Sequence, residues 1–256
     1  MRWRLLLTPA MDGVGNMALD EALMARVRES NEGVVRVYSW VTPTLSLGRN
    51  QRAEGAYSAA RARALGVDVV RRATGGRALF HHREITYSVT APVPANGSLR
   101  ESYHAVNCVL LATLSSLGVG AEVAEQRERL PPPGSAPCFE LPANGELMFA
   151  GRKLVGSAQY RADNAMLQHG SILVHDDQFM VARIASLPIA DIPGAASLVE
   201  ALGYEPTARE FADALFRIVR RDWDSGATPL PMDDALAVAA AGARRRYLDD
   251  RWTWRR

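Results

Sequence analysis

Lysine occurs once in this chain of 256 residues, at position 153, so all the other cationic side chains among its 30 basic residues are arginine. A guanidinium does not release its proton at working pH, whereas a compact amine can, so Lys153 is the candidate for any step that moves a proton through an amine. Cysteine occurs twice. Cys138 stands at the exit of Pro131-Pro132-Pro133-Gly134, a run that cannot be regular structure and reads as the kind of long loop kept for function. An adjacent ammonium would raise its thiolate fraction, and a nucleophile with a base is a recognised catalytic unit. Cys108 lies among Val106, Val109 and Leu110 in a helical run and reads as an inert core thiol.

Two glycine-containing segments could hold a ligand. In Arg71-Arg72-Ala73-Thr74-Gly75-Gly76-Arg77 the glycines allow close backbone approach, and the three arginines suit a phosphate or pantetheine-phosphate group. The same residues also read as a Gly-Gly hairpin flanked by solvated arginines. In Gly151-Arg152-Lys153-Leu154-Val155-Gly156-Ser157-Ala158-Gln159 the small residues leave bare backbone for a ligand chain. His81 and His82 are adjacent in an expected strand, point to opposite faces and cannot chelate one metal together. His169, in His169-Gly170-Ser171, could line a site or be a satisfied strand histidine. No zinc spacing, Walker A loop or dinucleotide fingerprint occurs, so no metal and no cofactor is expected.

The elements that position these residues follow from pattern. Strands are expected at 3–8, 34–40, 44–47, 67–72, 146–149, 153–160 and 167–175, with strand, turn and strand over 78–90. Helices are expected from an Asn16 cap to Arg28, with Asp20 and Glu21 near its positive end, and at 55–65, 98–117, 177–186, 207–223 and 233–248. Asp176-Asp177 reads as a helix cap, and the arginine-rich end from Arg244 to Arg256 as packed tryptophans with solvated charges. The alternation lacks a strict βαβ rhythm and implies α+β with a mixed, mainly antiparallel sheet flanked by helices.

Composition excludes several classes. With 48% hydrophobic and 23% charged residues the chain is neither a fibre nor a disordered tail. A net charge of +2 gives no single-sign field for nucleic acid. Two cysteines make no disulfide framework, the three leucines at 5–7 are too short for a signal sequence, and the longest apolar stretch is too short to span a bilayer. A cytoplasmic protein that uses neither membrane nor nucleic acid is the expectation.

Taken together, the motifs resemble the lipoate–protein ligase and octanoyltransferase family. Arg71 to His81 followed by Glu84-Ile85-Thr86-Tyr87-Ser88-Val89 is similar to its RRxTGGRAxxH…ELTYSV signature. Gly151 to Gln159 is similar to its GRKxxGSAQ element, and His169-Gly170-Ser171-Ile172-Leu173 to its HGSIL element. Further matches are Asn16 to Leu23, Pro43 to Gly48 and the ending from Tyr247 to Trp252, so the likeness runs through nearly the whole chain. Pro137-Cys138-Phe139 ahead of Gly151-Arg152-Lys153 looks most like the LipM-type octanoyltransferases. The resemblance implies the biotin/lipoate ligase catalytic fold in a single domain, 1–256, without an accessory C-terminal domain.

It also implies a reaction. Octanoyl would pass from octanoyl-acyl carrier protein to Cys138, then to a lysine of a lipoyl domain such as the glycine-cleavage H protein, without ATP. Lys153 would be the base, and Arg72, Gly75, Gly76, Arg77, His81, Gly156, Ser157, Ala158, His169 and Gly170 would bind substrate, with backbone N–H groups near Gly156-Ser157 holding the oxyanion. Other readings stay open: an ATP-dependent lipoate–protein ligase, a cysteine-dependent amidotransferase between lipoyl domains, or a non-catalytic relative that binds acyl groups or carriers.

Overall fold

The computed structural model describes residues 1–93, 97–124, 145–186 and 194–255. β1 (Trp3–Leu7) leads into α1 (Gly13–Ser30), whose first turn is capped by Asp12. The cap therefore lies one turn before Asn16; Asn16 is buried inside the helix and donates to the Met11 and Ser39 carbonyls. Either side chain can cap, but Asp12 is followed directly by the helical run, and its carboxylate takes the Gly15 N–H. β2 (Gly33–Tyr38), β3 (Thr44–Leu47), α2 (Ala59–Ala64), β4 (Asp68–Arg71), β5 (Leu79–His81) and β6 (Glu84–Pro92) follow. Next come α3 (Leu99–Ser116), capped by Ser98, then β7 (Glu122–Val123), β8 (Leu147–Phe149), β9 (Arg152–Ala162) and β10 (Ala165–Leu173). The chain continues with α4 (Phe179–Ile184), α5 (Leu198–Leu202), α6 (Ala208–Asp222), β11 (Thr228–Pro229), α7 (Asp234–Leu248) and α8 (Asp250–Thr253).

One sheet has the order β11-β1-β2-β6-β10-β9-β8-β7, parallel only between β11, β1 and β2. Its faces separate by strand alternation. Leu5, Val35, Val37, Ile85, Val89 and Ile172 pack with α3 and α6, whereas Leu6, Val34 and Leu167 pack with α1 and α7. The second sheet, β4-β3-β5, packs with α2 and α4. This is α+β with a mixed, mainly antiparallel sheet flanked by helices. Among the described residues no helix is long and apolar enough to cross a membrane.

Four local expectations are corrected. Gly75-Gly76 is not a hairpin turn, because β4 and β5 flank β3 on opposite sides, so the glycines lie on the loop that crosses between them. Nor do β5 and β6 form a hairpin: they belong to different sheets, and His82-Arg83 carries the chain from one to the other. Asp177 does not cap a helix but is held by the Arg83 guanidinium through two bonds, at 2.6 and 3.0 Å. At the C-terminal end Arg244 and Arg246 are paired with Asp12 and Glu21, and Arg255 stacks on Trp252, so these charges are bound rather than merely solvated.

Candidate active site

Cross-strand register brings the expected residues together on the α1 face. One row holds Arg36, Ser88, His169 and Ala158; the next holds Tyr38, Thr86, Ser171 and Gly156. Over these rows lies a narrow cavity whose other walls come from Met17, Trp40 and the second sheet. Arg72, Gly76, His81, Gly156, Ser157, Ala158, His169 and Gly170 all line it, and Leu79 adds an apolar wall. Gly75 and Arg77 flank it without lining it. Glycine is required where the loops meet: a Cβ on Gly48 would lie 1.9 Å from the Gly76 carbonyl oxygen, and Gly76 itself has φ +89°.

Two buried carboxylates organise the walls. Asp20 Oδ1 accepts from Arg36 Nη1 at 2.8 Å and from the Ser88 hydroxyl at 2.8 Å; Oδ2 accepts from the Tyr38 hydroxyl at 3.1 Å and lies 3.2 Å from His169 Nδ1. Burial pushes the Asp20 carboxyl up, but the Arg36 charge and the bonds from His169 and Ser88 outweigh it, leaving the group below the ordinary carboxylate range. Burial pulls His169 below the ordinary imidazole value, and Asp20 restores only part of the difference. His169 is therefore neutral at neutral pH, donates Nδ1–H to Asp20, and accepts the Thr74 hydroxyl at Nε2 over 2.7 Å. Glu84 plays the parallel part. Its Oε1 accepts from Trp40 Nε1 at 3.0 Å and binds His81 Nδ1 at 2.8 Å, and Oε2 accepts from Ser171. His81 reaches on to the Ser46 hydroxyl at 2.7 Å and stacks on Trp40 at 4.0 Å.

Lys153 lies elsewhere. Alternation along β9 sends Gly156 and Ala158 to the cavity face, and Lys153, Val155 and Ser157 to the α3 face. Lys153 is buried, and its Nζ donates to Glu146 Oε1 at 2.6 Å. On the same face the Tyr87 and Ser157 hydroxyls meet at 2.7 Å, Gln168 Nε2 donates to Tyr87 at 2.9 Å, and Asn107 Nδ2 donates to the Gly145 carbonyl. Burial pushes the Tyr87 hydroxyl up to about 12, so it stays a donor. β8 pairs no further along β9 than Val155, so beyond it, among the described residues, alternate N–H groups of residues 156–158 face no strand.

Several expectations need correction. Arg71 is not a phosphate ligand, whereas Arg72 lines the cavity. Arg71 is fully buried and donates to the carbonyls of Gly48, Gln51, Trp252 and Thr253; Arg72 donates to those of Ser46, Gly75 and Arg77. Both guanidiniums hold loop backbone. Cys108 is exposed, not a core thiol, because it occupies the outward side of α3 while Val106, Val109 and Leu110 turn inward. Cys138 lies outside the described residues. Asp20, Glu84 and Glu146 were missed. Asp20 had a signal: it sits at helical spacing with buried Met17, Met24 and Val27, so its carboxylate had to be buried too.

The profile of the lipoyl protein ligase A/B catalytic domain matches residues 12–220. The chain belongs to that family. Within it, an octanoyltransferase LipM from Kyrpidia tusciae is 37% identical over 99% of each chain. Octanoyltransferases LipM from Brevibacillus brevis, 34% identical over 100% of this chain and 99% of that one, and Staphylococcus aureus, 30% identical over 99% of each, are similar along the same length. Among solved family structures, a lipoate-protein ligase A bound with ATP superposes with a TM-score of 0.79 at 21% identity over 99% of both chains, which shows the shared fold. A bipartite lipoate protein ligase from Thermoplasma acidophilum, described with its E2 lipoyl domain, gives 0.79 at 19% identity over 99% of this chain and 96% of that one.

Proposed function

We propose that this chain is an octanoyltransferase of lipoate biosynthesis that uses Cys138 as nucleophile and Lys153 as base. The observation that carries this reading is the cavity on the α1 face, closed by Met17, Tyr38, Trp40 and Leu79 and open along small residues at Gly76, Gly156, Ala158 and Gly170. Such a wall suits an unbranched apolar chain, whose burial contributes about 0.8 kcal/mol per CH₂. The acyl tail occupies the cavity and its carbonyl reaches the edge of β9, where the alternate N–H groups of residues 156–158 that face no strand among the described residues stabilise the oxyanion.

The donor is octanoyl-acyl carrier protein. Lys153 passes its ion-pair proton to Glu146, and the amine so formed takes the Cys138 thiol proton as the sulfur attacks the donor thioester; a C–S bond forms to Cys138, the donor C–S bond breaks, and the carrier thiolate takes up the proton. The amine of a lysine on a lipoyl domain, such as the glycine-cleavage H protein, then attacks the enzyme thioester. A C–N bond forms, the Cys138 C–S bond breaks, and Lys153 relays the amine proton to the departing sulfur. Exchange of thioesters followed by amide formation runs downhill without ATP. The buried Glu146 holds Lys153 in position for both transfers.

The test is transfer from octanoyl-acyl carrier protein to a lipoyl domain in the absence of ATP. Wild type modifies the acceptor and Cys138→Ala does not. Equal transfer by Cys138→Ala overturns the covalent route, and modification only from free octanoate with ATP and magnesium replaces the transferase by a ligase.

A further inference from the structure

A hydrocarbon ligand needs no carboxylate, yet two buried carboxylates stand behind the cavity. Each leads, through a histidine, to a hydroxyl on the second sheet or its crossing loop: Asp20 through His169 to Thr74, and Glu84 through His81 to Ser46. The first chain ends on the loop that carries Gly75 and Gly76, and the second reaches that loop from β3 through Arg72. Thr74 begins it, and its carbonyl accepts the Arg49 N–H at 2.8 Å. Ser46 accepts from Arg72 Nη1 at 3.0 Å, and Arg72 in turn grips the carbonyls of Gly75 and Arg77 at 2.8 and 2.7 Å. Glycines have no side chain with which to anchor themselves, so the position of this wall depends on its neighbours.

We propose that Asp20 and Thr74 are positioning residues for acyl transfer, acting through His169 to hold the Thr74–Gly76 turn against the acyl chain. Asp20 fixes the proton of His169 on Nδ1, which leaves Nε2 as an acceptor; the buried Thr74 hydroxyl then has one direction in which to donate. Arg36, Ser88 and Tyr38 fill the remaining acceptor sites of Asp20, so the carboxylate cannot turn away. Neither Asp20 nor Thr74 lines the cavity, and so neither touches the acyl chain. Substrate affinity comes from apolar burial and the reaction geometry from the turn, so loosening the turn costs turnover rather than binding.

This inference rests on the cavity being the acyl site. The experiment is single-turnover octanoylation of the whole protein from octanoyl-acyl carrier protein, over a range of donor concentration, with thermal melting of each variant alongside. Thr74→Val removes the hydroxyl and keeps the shape; it is expected to lower the saturating rate at least tenfold with half-saturation changed less than threefold. Thr74→Ser restores the hydroxyl and is expected to recover the rate to within threefold. Asp20→Asn is expected to follow Thr74→Val. A Thr74→Val rate equal to wild type overturns the positioning role, as does a loss that merely follows the melting of the variant or that Thr74→Ser fails to rescue. A wild-type protein that takes up no octanoyl overturns the transferase reading itself, a result distinct from these.

Discussion

The two faces of the central sheet bury charge in different ways. On the α1 face Asp20 is satisfied by a guanidinium, two hydroxyls and a neutral imidazole, and Glu84 by an indole, an imidazole and two hydroxyls. On the α3 face Lys153 and Glu146 meet across the β8–β9 turn as a close ion pair. A carboxylate whose acceptor sites are filled by fixed donors is a structural post. In the proposed reading the first face supplies geometry and the second chemistry, and the small residues of β9 and β10 are where the two meet.

That contrast can be broken by substitution. Lys153→Arg keeps a cation opposite Glu146 but removes the exchangeable amine; it is expected to leave the fold intact and lower acyl transfer by about 10²–10⁴-fold, measured as turnover with octanoyl-acyl carrier protein. Arg36→Met leaves Asp20 buried without its cation, an expected loss of about 3–5 kcal/mol of stability by urea denaturation. If the second variant proves as stable as wild type, the α1-face network is not the post described here.

Acid separates the groups more gently. The native His169 has a lower pKa than the unfolded chain, so the unfolded state binds the proton first; stability falls as pH drops below the ordinary imidazole value of 6.5 toward the native one. Asp20, also lowered, contributes stability above the ordinary carboxylate range that is lost only as pH falls through its native value. Melting temperature is thus expected to decline in two stages from pH 7.5 to 3. In His169→Gln the first stage should vanish, and its persistence there would assign the proton to another group.

Much of this was legible in residue order. The helices with clear caps, from Ser98, Thr207 and Asp233, begin as expected, since a capping side chain followed by an apolar stripe is a local signal. The single lysine pointed to a residue that is buried and paired. What local pattern could not supply was the second sheet: β4 and β5 look like partners in sequence and are separated by β3 in space. Glu84-Ile85-Thr86-Tyr87-Ser88-Val89 alternates as if one face were wet, yet Glu84, Thr86 and Ser88 are all buried. Nor does sequence distinguish an arginine aimed at a ligand from one that, like Arg71, is enclosed by carbonyls.

The most direct measurement is intact mass spectrometry of the protein after mixing with octanoyl-acyl carrier protein and no ATP, followed by peptide mapping. The account predicts one hydroxylamine-labile octanoyl group on Cys138, discharged when a lipoyl domain is added, with the exposed Cys108 unmodified. An octanoyl group on Cys108, or no adduct while the acceptor is modified from free octanoate and ATP, would contradict it.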